Sequence, residues 1–164
     1  MLLSCSNEPW YFEKYGPVDG KPNYRFKDDD GVSGLSVNIN SHYEGMSHSG
    51  APFHLHIKYS DHKMIWEFLS IKELTVSTSS KRILFTEEFT TLNFTEPGFV
   101  DGTQPYFRRA ELHSKDLDLD HDSPERIIIR FEYSLHNLDQ ERKFKRIELE
   151  FEPYIDKGTF KPSI

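Results

Sequence analysis

Across residues 127–135 every second side chain is large and apolar. Ile127, Ile129, Phe131, Tyr133 and Leu135 alternate with Ile128, Arg130, Glu132, Ser134 and His136. Successive side chains of a strand leave opposite faces of a sheet, so this period of two specifies one buried and one solvated face. Ile147, Leu149 and Phe151 alternate with Glu148, Glu150 and Glu152 in the same way. The polar residues 137–143 between the two runs make them an antiparallel hairpin. Phe144 is out of phase with Ile147, which predicts a bulge or the strand start between them. Arg130 is expected to face Glu148 or Glu150 on the outer face, where opposite charges favour the pairing.

The same reading extends upstream. Leu35, Val37 and Ile39 form one alternating run, and Phe53, Leu55, Ile57 and Tyr59 another. Shorter strand-like stretches cover residues 71–76, 82–85, 89–94 and 106–112. Residues 45–52 and 113–124 read as loops. Residues 61–70 fit either a short helix capped by Asp61 or a strand. The aromatic clusters Trp10-Tyr11-Phe12 and Tyr24-Arg25-Phe26 suit an edge strand or an arm lying on the domain.

Roughly seven to nine strands with frequent turn signals predict an all-β chain, a two-sheet antiparallel β-sandwich with at most one short helix. An Ig-like topology is the first choice, and a small barrel or jelly roll the second. Aromatic residues make up 14% of the 164, which suits half-buried pleated surfaces. The length fits one domain over residues 10–164, preceded by a tether over residues 1–9.

The net charge of −7 and the scattered basic residues argue against nucleic acid as a partner. The single cysteine, Cys5, excludes an internal disulfide and cysteine-rich zinc sites. No apolar run of about eighteen residues is present for a membrane helix. Leu2-Leu3-Ser4-Cys5 resembles the lipobox of bacterial lipoproteins, and Ser6-Asn7-Glu8-Pro9 resembles the polar tether that follows it. The resemblance implies lipid attachment at Cys5 and a place in the cell envelope, in the periplasm or at the outer membrane. Such a signal also carries a basic segment and an apolar stretch of about 7–15 residues upstream. Only Met1 to Ser4 precede Cys5, so this reading needs a start upstream of Met1. Otherwise Cys5 is an ordinary thiol and the protein is cytoplasmic.

Histidine is the main candidate for chemistry. Five of the eight, His42, His48, His54, His56 and His62, fall within 21 consecutive residues. His54 and His56 leave the same face of a strand and so can share one ion of zinc or copper, completed by Asp61, His62 or His48. The competing reading is a solvated strand face. The acidic run from Asp116 to Asp122 lacks the glycine and glutamate of a calcium loop. Ser47 and Ser49 lack the flanking glycines of a nucleophile elbow. No phosphate-cradling glycine loop is present, and no cofactor is expected.

Three function classes follow. The first is a non-catalytic binding or assembly module of the envelope, with another protein as partner. The second is an unanchored interaction or immunity-type protein. The third is a metal-binding protein or enzyme using His54 and His56.

Overall fold

The computed structural model describes residues 9–20, 23–44, 48–98, 107–119, 124–139 and 141–159; for residues 9–11, 44, 141–144 and 158–159 only the backbone is described. Cys5 lies outside the described residues, as do Ser47 and residues 120–122 of the acidic run.

The chain is all-β. Among the described residues nine strands follow one another: β1 (Pro9–Pro17), β2 (Tyr24–Lys27), β3 (Gly34–Glu44), β4 (His48–Asp61), β5 (Phe68–Thr78), β6 (Ile83–Asn93), β7 (Arg108–His113), β8 (Ile127–His136) and β9 (Glu141–Thr159). They form one sheet in the order β2-β3-β4-β1-β9-β8-β5-β6, with β7 also paired to β4. Two groups of strands, β2-β3-β4-β7 and β1-β9-β8-β5-β6, are joined by a short parallel pairing of Tyr11 and Phe12 with His48 and Ser49. All other ladders are antiparallel.

The sheet curls so that strands distant in this order meet across its inner face. Tyr24 of β2 packs edge-on against Phe151 of β9, with ring centres 5.2 Å apart. The Tyr24 hydroxyl donates to the Glu150 carbonyl at 2.8 Å. Tyr59 of β4 meets Phe94, just beyond β6, at 5.9 Å. The inner face is made of the side chains that the alternation selects. Leu35 and Val37, Leu55 and Ile57, Ile127 and Ile129 are all fully buried. Fully burying one such side chain is worth about 1.5–3 kcal/mol. Arg130 pairs with Glu148 as the sequence predicts, and the register slips between Tyr133 and Leu135. That slip puts the extra residue at positions 143–144, on the N-terminal side of the expected interval, since residues 145–147 are themselves in register.

Several segments differ from the sequence reading. β4 begins at His48, so residues 48–52 of the expected loop 45–52 are strand, and β9 begins at Glu141, inside the polar stretch 137–143. β1 is not an edge strand or a loose arm: it lies between β4 and β9 and pairs with β9 over nine residues. β9 is 19 residues long and outruns β8 beyond Phe151, so its C-terminal half needs another partner. Residues 83–93, read as two short strands, form a single one. Residues 61–67 form neither helix nor strand beyond Asp61. The Asp61 carboxylate accepts hydrogen bonds from the backbone N–H groups of Lys63, Met64, Ile65 and Trp66 at 2.9–3.1 Å. Asp61 is therefore a cap, but what it caps is a turn, with Met64 at φ 56°.

Candidate functional site

β4 exposes its polar side chains on the outer face of the sheet. Phe53, Leu55 and Ile57 point inward, so His54 and His56 share the outward side. What the sequence could not place is the neighbour. β7 runs antiparallel to β4 and sets His113 directly opposite His56 and Glu111 opposite Lys58.

The His56 and His113 rings stack with centres 4.2 Å apart and planes 11° apart. Glu111 Oε2 lies 3.8 Å from His56 Nε2 and 3.4 Å from His113 Nε2. Arg109 Nε holds the other carboxylate oxygen at 3.3 Å. His54 stands further out, its ring 6.2 Å from that of His113 and tilted by 44°. His56, Glu111 and His113 each offer a ligand atom within 4.8 Å of the others. His54 is outside that set.

The His56 side chain is 16% exposed, and its Nε2 has no hydrogen-bond partner among the described residues. An unsatisfied buried polar atom costs about 1–3 kcal/mol. Burial pushes the His56 pKa down, and neighbouring His113 adds to the effect while Glu111 opposes it. The ring is therefore neutral near pH 7, the form that can donate a nitrogen lone pair.

The other sequence candidates are placed elsewhere. Asp61 is fully buried and committed to its turn. His62 stacks on Phe107 at 5.2 Å, and His48 is exposed at the start of β4. Ser49 is buried against Ser41. One serine does meet a histidine: Ser134 Oγ lies 2.8 Å from His136 Nε2. Ser134 is 3% exposed, so a substrate carbonyl has no access to it.

A second feature is the end strand β6. It pairs with β5 along one edge only. Its other edge is tied at its ends: Thr95 N–H donates to the Arg109 carbonyl at 2.8 Å, and Arg82 reaches Asp118 at 3.6 Å. Between these ties no second strand pairs with β6 among the described residues. Ile83 and Phe89 are more than half exposed.

Natural sheets guard their edges with short strands, lysine, proline or bulges. The opposite end strand follows that rule: β2 has four residues and exposes Arg25 and Lys27. β6 has eleven residues, with neither lysine nor proline; its one bulge, an extra residue at Leu84 opposite the Val76–Ser77 step, lies at its N-terminal end, and from Phe85 to Asn93 it runs in register with β5. Its Glu87 and Glu88 make no ion pair among the described residues. By contrast, Glu132, Glu148 and Glu150 on the neighbouring outer face are each met by an arginine.

Comparison of the chain with family models, with curated proteins and with solved structures returns no match.

Proposed function

We propose that this chain is a non-catalytic binding module that takes up an extended segment of a partner protein by strand addition at β6. The carrying observation is the edge of β6 from Phe85 to Asn93, regular in register and paired on one side among the described residues. Main-chain groups there supply affinity for any extended peptide, and side-chain neighbours supply the choice. Glu87 and Glu88 favour a segment carrying lysine or arginine, because like charge at that edge would repel and opposite charge would neutralise it. Ile83 and Phe89 add apolar contact area. The lipobox resemblance supports a setting at the bacterial envelope, where acylated Cys5 would hold the module at a membrane and leave β6 facing a neighbouring protein.

The test is site-specific photocrosslinking of the full chain in the cells that produce it, with the reactive residue at exposed Thr91 and, separately, at Arg25 of β2. The reading predicts an adduct from position 91 that maps to one basic extended segment of a single protein. It also predicts loss of that adduct in the double variant E87K/E88K. Equal adducts from positions 91 and 25, or an adduct untouched by the charge reversal, would exclude β6 as the docking edge. Fatty-acid labelling of the same protein tests the anchor separately.

A further inference from the structure

We propose that His56, Glu111 and His113 form a binding site for one divalent transition-metal ion of the zinc class, held by two imidazole nitrogens and one carboxylate oxygen. The site is independent of the β6 reading: it lies on a different pair of strands, and neither needs the other.

Ligand type comes first. Two nitrogens and one oxygen suit zinc, cobalt, nickel or copper, whereas calcium and magnesium select sites made of oxygen. Spacing comes next. Bond lengths of about 2.0–2.2 Å in a tetrahedron put neighbouring ligand atoms about 3.3–3.6 Å apart. Glu111 Oε2 lies 3.4 Å from one histidine nitrogen and 3.8 Å from the other. A shift of a few tenths of an ångström closes the longer distance.

Three further observations agree. His56 Nε2 is buried without a hydrogen-bond partner among the described residues, and an ion would satisfy it. Arg109 fixes Glu111 through Oε1 and so leaves Oε2 for the cluster, the kind of outer contact that orients a ligand. Finally, His56 and His113 are cross-strand partners in a paired ladder, so the backbone already holds both ligands. The remaining coordination position is open to water, since His54 lies outside the set.

One movement is required. Two rings stacked 11° from parallel do not aim their lone pairs at one point. Binding must break the stack and tilt the rings towards a common centre.

The experiment titrates the full, metal-stripped chain with zinc chloride by calorimetry, and with cobalt chloride by visible absorption. The expected result is one saturable equivalent of zinc and a tetrahedral cobalt spectrum. His113→Ala and Glu111→Gln should each weaken zinc uptake by more than about tenfold, the least that losing even an outer-sphere partner costs. His54→Ala should leave it unchanged. His113 is half exposed, so the variant is expected to keep its fold, which circular dichroism checks. No saturable equivalent in the unmodified chain would overturn the proposal. So would uptake that survives both His113→Ala and Glu111→Gln, which marks scattered surface histidines. Loss in His54→Ala with retention in His113→Ala would instead assign the ion to the His54 and His56 pair.

Discussion

Arg130 on β8 and Glu148 on β9 stand directly opposite each other, with guanidinium Nε 2.9 Å from carboxylate Oε2. The pair is exposed, and it holds the Glu148 pKa below the usual carboxylate range through the hydrogen bond and charge of Arg130. Its main use is to favour one register, since a slip of one residue would turn the whole apolar set outward. Reversing one partner, as Arg130→Glu, should lower the melting temperature at low salt. The double reversal R130E/E148R should restore most of it. Both differences should shrink in about 1 M salt, where screening acts within a few ångströms. Melting curves of the four proteins at two salt concentrations check this.

Asp61 presents a different balance. Its carboxylate is fully buried and accepts four backbone N–H groups. Asp61→Ala leaves those donors without a partner and should cost about 3 kcal/mol or more. Asp61→Asn keeps one acceptor oxygen and should cost less. Urea denaturation with a common slope measures both.

Two buried tyrosines set the alkaline limit. Burial, and then the hydrogen bond donated to Asp28, drive the Tyr59 pKa far above its ordinary value. Burial, with the charge of Asp28, pushes Tyr133 up to about 12. A raised pKa means that the fold favours the neutral phenol. That contribution is complete below the unfolded value of about 10 and declines as pH rises from there. The protein should therefore lose stability above about pH 10, with both tyrosines ionising only as it unfolds. The phenolate absorbance that the unmodified chain shows over the double variant Y59F/Y133F should rise in step with loss of the circular dichroism signal; its appearance while the chain is still folded would refute this. Tyr59→Phe should soften the alkaline loss.

Gly34 is held by the backbone of its neighbours. It sits at φ 154° between Lys27 of β2 and Ser60 of β4, and a Cβ there would come within 2.1 Å of the Phe26 carbonyl oxygen. That oxygen belongs to the main chain and cannot swing away. Gly34→Ala should destabilise by about 2–3 kcal/mol, more than a simple backbone preference, and should loosen β2 first. Denaturation together with the fluorescence or exchange behaviour of β2 checks it.

Much of this fold was legible because alternation is a local property. The buried faces of β3, β4, β8 and β9 and the facing of Arg130 with Glu148 follow from residue order alone, whereas the bulge of β9 falls at 143–144, before the interval that the phase of Phe144 and Ile147 predicts. β1 was misread as peripheral because its place depends on the length of β9, which lies more than a hundred residues away. The split reading of β6 has a similar cause: Thr86-Glu87-Glu88 is polar enough to look like a break, yet an edge strand buries little and tolerates it. The histidine face of β4 was visible as His54 and His56. Its partners were not. Glu111 and His113 alternate with buried Ala110 and Leu112, a weak strand signal, but no spacing rule ties them to a strand more than fifty residues earlier. Only pairing of β7 with β4 brings them together.

Docking at β6 requires an open edge, and residue-by-residue amide exchange of the purified chain tests that most directly. In an antiparallel end strand alternate N–H groups point at the partner and at solvent. Protection along residues 85–92 should rise and fall with a period of two, and should not change with protein concentration. Uniform protection of successive amides in that strand would mean that another chain segment or a second copy already covers the edge, and the proposed docking site would be gone.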